Sequence, residues 1–335
     1  MKVLLYTEGL ETVGKSGLGK AVSHQVRALE DNHIEYTQDP NELESCDIVH
    51  INWYLLKSYF LAKKAKKLGK KIVYHAHSTE EDFRNSFKFS NQVSGIFKWW
   101  ISKCYRLGDV IITPTNYSKR LLENYNLNRK IYAISNGLDT KFFKRNVKDG
   151  KLFRKKYGYK DTDKVIMGVG LYLKRKGILD FVELAKRLPQ YQFIWFGYLD
   201  LNLVPDEIRV AVNTKLPNLK FAGYVEPVEI RKAYSGADLY IFPTLEETEG
   251  IPILEALCEK IPTIVRDIPV FEEYQDKKVV YKAKDVDDFE IKIKKILSGK
   301  LKDLSNEGYK VAQSKDVKLV GKELIEVYKE LLKNN

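Results

Sequence analysis

The sequence of 335 residues contains little cysteine and no long apolar run. Its three cysteines, Cys46, Cys104 and Cys258, are scattered, and none lies in a CxxC pair or at a metal-ligand spacing. This usage is typical of a reducing compartment. No run of 18 uncharged apolar residues is present, and the N-terminus leads directly into a strand-like segment without a signal-peptide pattern. We therefore expect a cytoplasmic protein with no disulfide and no zinc.

Acidic residues are missing from one long stretch. Between Asp47 and Glu80 the chain has no aspartate or glutamate. The same stretch carries seven lysines, which are Lys57, Lys63, Lys64, Lys66, Lys67, Lys70 and Lys71. The net charge is +12, and its excess lies mostly in residues 1–150, which hold 24 Lys and Arg against 16 Asp and Glu. Such a field attracts an anionic partner, either nucleic acid or an anionic membrane surface.

Strand-like apolar runs alternate with helical segments along the whole chain. These runs are residues 2–6, 47–52, 71–77, 110–115, 131–135, 165–169, 192–196, 219–221, 237–243, 263–265 and 279–281. The alternation predicts an α/β protein with parallel sheets, and the length suffices for two domains with separate cores. We place the first domain at residues 1–147 and the second at 148–315. Residues 316–335 form a last segment with an amphipathic helix.

The segment that follows residues 237–243 is the most informative one, and its sequence is EETEGIPILE. The apolar run before it predicts a strand, and Pro252 predicts a helix start because proline suits a first helical turn. An acidic loop then connects the two elements. Ligands bind at the carboxyl ends of parallel strands, and a helix start offers free N–H groups to phosphate. Gly250 permits close approach of the backbone, and the carboxylates of Glu247 and Glu255 suit sugar hydroxyls. The alternative is that these acids only stabilise the helix through its dipole.

Two glycine-containing turns follow predicted strands. The first, residues 14–20 with Gly17, matches neither GxGxxG nor GxxxxGK[ST], so it is a tight turn or a loop that approaches phosphate or acceptor. The second, residues 170–177, carries Arg175 and Lys176, which can neutralise a departing diphosphate unless they are simply solvated. We find no Asp-x-Asp pair directly behind a predicted strand, and we therefore expect no metal.

Aromatic and basic side chains alternate between residues 83 and 106. This composition is typical of a helix in a membrane interface, with Arg84, Trp99 and Trp100 on the membrane side. Lys63 and Lys67 on the preceding helix offer a second basic face. The alternative is that the two tryptophans belong to the core. The chain shows no recognised nucleic-acid module, so we expect no nucleic-acid partner.

The pattern Glu247-x-x-Gly250-x-x-x-x-Glu255 resembles the acidic motif of retaining glycosyltransferases of family four, which have the two-domain GT-B architecture. The resemblance implies an α/β fold of two Rossmann-like domains that face each other across a cleft. The C-terminal helix is then expected to cross back onto the first domain. The resemblance also implies that Glu247 lies against the donor sugar and that Glu255 holds the ribose.

Other positions match the family as well. His77, which closes the predicted strand 71–77, stands where the family keeps a histidine that touches the donor sugar, and we favour it over His75. A histidine near a strand end is otherwise more often structural. Lys176 matches the phosphate-binding lysine, whereas Leu171 stands where many relatives carry arginine. Arg175 is expected to replace that charge, and the turn around Gly17 to face the cleft.

Several segments are similar to one subgroup of Gram-positive bacterial enzymes, which add a second hexose to monoglucosyl diacylglycerol. These segments are residues 77–87, 134–137, 193–197, 246–250 and 266–270. The resemblance implies a retaining hexosyltransferase that uses UDP-glucose or UDP-galactose without a cofactor. It also implies that the product is a diglycosyl diacylglycerol, the membrane anchor of lipoteichoic acid, and that Arg84 and the stretch around it lie on the acceptor side.

A glycolipid acceptor also implies where in the cell the enzyme works. An enzyme acting on a glycolipid is expected to be cytoplasmic and peripheral on the inner face of the cell membrane, with an anionic membrane surface as its partner.

One alternative to this function is a soluble family-four glycosyltransferase that acts on a polysaccharide or another lipid-linked acceptor. An isomerase or a phosphorylase with the same architecture is a further alternative.

Overall fold

The computed structural model describes residues 1–14 and 16–333. Lys15 of the predicted glycine-rich turn lies outside the described residues, as do Asn334 and Asn335 of the predicted last segment. The chain divides into two compact units. The first unit comprises Met1–Glu81, Gln92–Asp139 and the chain from Lys315, and the second unit comprises Asp82–Asn91 and Thr140–Ser314.

The first unit is built on a parallel sheet of six strands. They are β1 (Lys2–Tyr6), β2 (Glu35–Thr37), β3 (Ile48–Ile51), β4 (Lys71–His75), β5 (Val110–Thr113) and β6 (Lys130–Ala133). The order is β2-β1-β3-β4-β5-β6, and Val3 pairs with Ile48 in the register of β1 and β3. Most of these strands are apolar runs buried on both faces, as expected where helices cover both sides of a parallel sheet. The strand order reverses between β1 and β3, which is where such sheets bind ligands.

Helices connect these strands. They are α1 (Leu10–Val13), α2 (Gly17–Asp31), α3 (Leu56–Lys67), α4 (Glu80–Phe83), α5 (Ser90–Tyr105) and α6 (Asn116–Glu123). Helix α2 buries Val22 and Leu29 against one face of the sheet, whereas α5 buries Ile101 and Tyr105 against the other. The sheet is therefore sandwiched between two helical layers.

The second unit repeats this construction. Its strands are β7 (Val165–Val169), β8 (Gln192–Phe196), β9 (Leu219–Gly223), β10 (Leu239–Phe242), β11 (Thr263–Arg266) and β12 (Tyr281–Ala283). Its helices are α7 (Val147–Tyr157), α8 (Ile178–Arg187), α9 (Asp206–Val212), α10 (Pro227–Gly236), α11 (Ile251–Cys258), α12 (Val286–Leu297) and α13 (Ser305–Ser314). The order β12-β11-β10-β7-β8-β9 is that of a Rossmann fold, with its reversal between β7 and β10.

A last helix, α14 (Val317–Lys333), belongs to the first unit. Val320, Leu324 and Tyr328 recur at intervals of four residues, so they share one side of the helix. This side packs into the same buried cluster as Val22 and Leu29 of α2. The C-terminal end of the chain thus supplies part of the core beneath the first sheet.

The two parallel sheets confirm the predicted α/β class, but some element bounds differ from expectation. The predicted strand at residues 71–77 ends at His75, and the strand predicted at residues 279–281 lies at Tyr281–Ala283. The edge strand β2 was not predicted. It has three residues, of which Glu35 is exposed, so its sequence lacks the apolar run that marks a buried strand.

Candidate active site

The strand order of the second unit brings two separate loops together. Strands β7 and β10 are hydrogen-bonded neighbours, although 69 residues separate the end of β7 from the start of β10. The loop after β7 forms a 3₁₀ turn at Lys174–Lys176, and the loop after β10 carries Glu247. Because the strands are parallel, both loops emerge at the same edge of the sheet. This edge lies at the reversal point where Rossmann folds bind ligands.

Lys176 and Glu247 form an ion pair at this edge. The side chains are 16% and 8% exposed, so the pair is largely removed from water. Burial by itself raises the pKa of Glu247, but Lys176 and Arg175 outweigh it and hold that pKa below its ordinary value. Burial lowers the pKa of Lys176, which Glu247 only partly offsets. Thr244 Oγ1 also donates to Glu247 Oε1 at 3.2 Å, a contact that the sequence alone did not indicate.

Arg175 is engaged with groups of the second unit. Its Nε donates to Ser86 Oγ at 2.8 Å, and its Nη1 donates to the carbonyl oxygen of Glu246 at 3.2 Å. Its guanidinium also lies 3.7 Å from Glu247 and 3.9 Å from Asp82. Arg175 therefore joins the acidic loop to the segment Asp82–Asn91, which also carries the exposed Arg84.

Gly250 begins helix α11 in a conformation that favours glycine. Its φ of 90° is in the left-handed region, where other residues are strained. A Cβ atom at this position would lie 3.1 Å from the ring of Phe242 and 3.2 Å from the side chain of Ile253. Gly250 and Ile251 at this helix start are buried, Pro252 carries no N–H, and Ile253 donates its N–H to the carbonyl oxygen of Gly250 at 2.9 Å.

Glu255 lies one turn into α11 and is completely buried. Tyr234 Oη donates to its Oε2 at 3.1 Å. Tyr240 on β10 is buried near both Glu247 and Glu255, and both carboxylates contribute to raising its pKa. Its hydroxyl has no hydrogen-bond partner among the described residues. The two tyrosines were missed at the sequence level because their apolar surroundings mark them only as core.

In the first unit, His77 lies just beyond the end of β4. Its Nε2 is 2.9 Å from Asn52 Oδ1, and its ring stacks on that of His75 with centroids 4.1 Å apart. His77 is only partly buried, whereas His75 is buried. Burial lowers the pKa of His77 to about 3. Both histidines considered from the sequence are therefore brought together, in the neutral form at physiological pH.

Gly17 is the first residue of α2, and a Cβ atom there would meet no atom within 4 Å. The neighbouring Gly19 is more constrained. A Cβ at Gly19 would lie 2.2 Å from the carbonyl oxygen of Gly14, so this turn requires glycine at position 19. The spacing of glycines in the sequence could not distinguish the two positions.

Helices α3 and α5 present an exposed basic and aromatic surface, which we call the α3/α5 surface. Phe60, Ile96 and Trp99 are 62%, 68% and 60% exposed. Lys63 and Lys67 are exposed on α3. Trp100 differs from its neighbour, because its Nε1 donates to the carbonyl oxygen of Tyr54 at 2.6 Å and its ring packs partly against the core. Tyr59 of α3 lies 5.4 Å from Trp100, so the two helices are in contact.

One Asp-x-Asp pair does follow a strand, contrary to the sequence-based expectation. Asp285 and Asp287 stand behind β12. Asp285 caps α12 by accepting the N–H of Asp288, and Asp287 pairs with Arg187 at 2.5 Å. The pair thus has structural partners. In the described part of the chain no group of three or more His, Cys, Asp or Glu is arranged to hold a metal.

Comparison with known proteins identifies the family. Residues 149–311 match the family model described as glycosyl transferases group 1, and residues 36–142 match glycosyltransferase family 4. The chain is 39% identical over 337 residues to the processive diacylglycerol alpha-glucosyltransferase of Acholeplasma laidlawii, covering 99% of both proteins. The chain belongs to glycosyltransferase family four. The glycosyltransferase predicted from the acidic motif is therefore confirmed.

This glycosyltransferase has further relatives. It is 27% identical to the alpha-galactosylglucosyldiacylglycerol synthase of Streptococcus pneumoniae, over 78% of this chain and 71% of that protein. Among solved structures, HepE of Anabaena in complex with UDP and glucose matches with a TM-score of 0.79 and 16% identity, over 98% of this chain and all of the other. These matches confirm the GT-B class with two Rossmann-like domains. No helix within residues 1–14 and 16–333 is long and apolar enough to cross a membrane.

Proposed function

We propose that this glycosyltransferase moves glucose or galactose from a UDP-sugar to monoglucosyl diacylglycerol, with retention of configuration. The product is a diglycosyl diacylglycerol, for which we retain a role as the anchor of lipoteichoic acid. The relative from Acholeplasma laidlawii, which is similar over nearly its whole length, is named as a diacylglycerol glucosyltransferase. The relative from Streptococcus pneumoniae is named for a product that contains galactose and glucose. Both hexoses therefore remain candidates for the donor.

The donor site of this proposal rests on the ion pair at the edge of the second sheet. Glu247 accepts hydroxyl hydrogens of the donor hexose, while Lys176 and the positive end of the α11 dipole near Gly250 stabilise the leaving diphosphate. Glu255 is assigned to the ribose, and Arg175 keeps the acidic loop in place beside the phosphates. Positive charge that other transferases take from a metal ion comes here from Lys176.

The reaction needs no protein nucleophile. The acceptor hydroxyl attacks the anomeric carbon from the face of the leaving diphosphate, the bond from that carbon to the diphosphate breaks, and a diphosphate oxygen takes the proton. We assign His77 and Glu247 to positioning the donor hexose during this step. His77 acts as a neutral hydrogen-bonding group, because burial lowers the pKa of its ring to about 3. Gly17 is assigned to the loop beside the donor or acceptor.

For the acceptor we propose that the α3/α5 surface rests on an anionic membrane. Exposed apolar side chains beside lysines favour the headgroup region, where each basic residue contributes about 1 kcal/mol. Trp99, Lys63 and Lys67 provide this contact, and Trp100 supports it from the packed side of α5. We assign the exposed Arg84 to the acceptor headgroup. The enzyme is then peripheral on the cytoplasmic face of the membrane.

The test is a transfer assay with purified protein, vesicles containing monoglucosyl diacylglycerol and either UDP-glucose or UDP-galactose. We expect release of UDP and a lipid with one added hexose, which mass spectrometry and glycosidase digestion identify. UDP release only with a polysaccharide or a polyprenyl-linked acceptor would favour the soluble alternative. Release of hexose 1-phosphate, or isomerisation of the sugar, would overturn the proposed reaction.

A further inference from the structure

Three histidines of the first unit form a column of stacked rings. His50 lies on β3, His75 ends β4, and His77 follows it. The rings of His50 and His75 are 5.3 Å apart and tilted by 8°, and those of His75 and His77 are 4.1 Å apart and tilted by 1°. His50 and His75 are buried, whereas His77 is only partly buried. The column therefore leads from the core of the unit to its surface.

One amide links two members of the column. Gln25 on α2 is buried, and its Nε2 has two hydrogens. One is donated to Asn52 Oδ1 at 2.9 Å, and the other to His75 Nδ1 at 2.9 Å. Asn52 Oδ1 is an amide oxygen, which can only accept hydrogen bonds. His77 Nε2, which lies 2.9 Å away, must therefore be the donor. The Gln25–Asn52 pair thus selects the tautomer of His77 that carries its proton on Nε2.

This tautomer determines what His77 can do. A neutral imidazole with a proton on Nε2 has a lone pair on Nδ1. Nδ1 of His77 has no hydrogen-bond partner among the described residues, so it can accept a hydrogen bond from a ligand hydroxyl. With the opposite tautomer, the same nitrogen would present a hydrogen to that hydroxyl. Whether His77 Nδ1 accepts or donates a hydrogen bond therefore depends on Gln25 and Asn52.

The inner end of the column is held by the last helix. Tyr328 Oη lies 2.5 Å from His50 Nδ1, and His50 Nε2 lies 3.2 Å from His75 Nδ1. If the tyrosine hydroxyl donates, His50 keeps its proton on Nε2 and donates to His75. Gln25 and His50 then share the single lone pair of His75 Nδ1, with Gln25 the nearer donor, and His75 has its proton on Nε2. Tyr328 thereby supports the arrangement from a position 278 residues away from His50.

We propose that Gln25 and Asn52 are positioning residues that hold His77 as the Nε2-protonated tautomer, so that its Nδ1 accepts a hydrogen bond from a hydroxyl of the donor hexose. Tyr328 and His50 brace this arrangement through His75. The inference rests on the proposed function for the identity of the ligand only. The tautomer itself is a property of the unliganded first unit.

Nitrogen-15 NMR of the histidine rings tests the tautomer directly in the full-length protein without substrate. Wild-type His77, assigned with a His77→Gln variant, is expected to show a protonated Nε2 and an unprotonated Nδ1 at pH 7.5. Gln25→Leu removes both amide hydrogens and is expected to give a mixture of tautomers. Asn52→Asp keeps an oxygen toward His77 and is expected to retain the wild-type tautomer. Ser23→Ala, an exposed position on the same helix, serves as the control.

Kinetics supply the second readout. Gln25→Leu is expected to lower kcat about tenfold, the rate change of one hydrogen bond, with KM for the nucleotide sugar changed less. Protonated Nδ1 in the wild type, or an unchanged tautomer in Gln25→Leu, would overturn the inference even if transfer occurs. The expected tautomers in a protein that transfers no hexose would instead contradict the proposed function. Thermal unfolding of each variant shows that it is folded.

Discussion

The carboxyl ends of the two sheets of this glycosyltransferase carry different kinds of side chain. Behind β7 and β10 of the second unit stands an ion pair of Lys176 and Glu247. At the carboxyl ends of β3 and β4 in the first unit lies a column of neutral histidines, represented by His75 and His77. Both groups are largely removed from water. The difference is that the second unit pairs opposite charges, whereas the column consists of rings hydrogen-bonded to neutral groups.

Burial explains why the two sites differ in charge. Desolvation disfavours any charged form unless an opposite charge offsets it. Glu247 has Lys176 and Arg175 beside it, and its pKa stays below the ordinary value. The pKa of His50 falls to about 3, because burial and the neighbouring His77 both disfavour its charged form. The comparison teaches that a site with paired charges can serve both an anionic diphosphate and sugar hydroxyls, whereas a neutral column suits hydroxyls only. Substitutions in either unit test this difference.

The largest effect is expected when the ion pair of the second unit is broken. Lys176→Ala leaves the Glu247 carboxylate buried without its main partner, and it removes the charge proposed to face the diphosphate. We expect kcat/KM to fall by about 10²–10³-fold and the free energy of unfolding to fall by about 3–5 kcal/mol. Transfer assays and urea unfolding measure the two quantities.

A double variant separates these two consequences. Lys176→Met with Glu247→Leu replaces the pair by apolar side chains, which is expected to restore most of the stability but none of the activity. Near-normal transfer in Lys176→Ala or Glu247→Ala would contradict the proposed donor site. A double variant as unstable as Lys176→Ala would show that the buried charge is not the cause of the instability.

The second-largest expected effect is a loss of stability of the first unit at acidic pH. The pKa values of His50, His75 and His77 are lower in the folded than in the unfolded protein, so the unfolded chain binds more protons below pH 6.5. The stability present above pH 6.5 is therefore lost as the pH falls toward 3. Between pH 7.5 and 5.5 each of these histidines accounts for about 1.4 kcal/mol, or about 4 kcal/mol for the three.

Hydrogen exchange followed by mass spectrometry reports this loss in peptides from β4 and α14 of the first unit. His50→Gln is expected to remove about a third of the pH dependence, because glutamine does not titrate and His75 and His77 remain. Equal protection of these peptides at pH 7.5 and 5.5, after correction for intrinsic exchange rates, would refute neutral histidines.

A smaller effect is expected at the α3/α5 surface. Lys63→Ala with Lys67→Ala removes two charges that are proposed to face anionic lipid. At about 1 kcal/mol each, their loss is expected to weaken binding to phosphatidylglycerol vesicles by about 30-fold. Vesicle flotation measures this binding. The matched control is Lys151→Ala with Lys215→Ala, which removes the same charge from exposed positions of the second unit.

If the control lowers flotation as much as the α3/α5 variant, net charge rather than this surface determines binding. Trp99→Ser is expected to weaken binding to neutral and anionic vesicles alike, since its contribution is apolar. Added salt should weaken binding of the wild type more than that of the lysine variant, because the variant has fewer charges facing the lipid.

The smallest expected effect has the opposite sign to that of the histidines. Burial raises the pKa of Glu259 at the end of α11 to about 7, although Ser235 donates to it at 2.8 Å. The folded protein therefore binds the proton more tightly, and the second unit should gain about 1–2 kcal/mol between pH 7.5 and 5.5. Glu259→Gln should abolish this gain in hydrogen exchange of α11 peptides. A gain that persists in the variant would assign it to another group.

The proximity of Lys176 and Glu247 in the second unit could be predicted because its signals are local. Both residues lie in loops that follow an apolar run marking a buried strand, and parallel strands bring such loops to one edge. The contact of Arg175 with Ser86 could not be predicted, because 89 residues separate them and nothing in either segment indicates the other.

The hydrogen bonds around His77 in the first unit could not be predicted from the sequence. His77 was selected by resemblance, but Gln25, Asn52 and Tyr328 each look like ordinary helix or strand-end residues. Their partners lie 25 to 278 residues away. A side chain's hydrogen-bond partner depends on packing angles that no local pattern encodes.

The sequence by itself determined the alternation of strands and helices, the two sheets and the family, because apolar periodicity and short motifs are properties of neighbouring residues. Only the tertiary structure decided which charges are paired, which histidines are neutral and which side of α5 is exposed. These properties depend on burial and on contacts between distant segments, since the same lysine, carboxylate or imidazole changes its charge and its role with its surroundings.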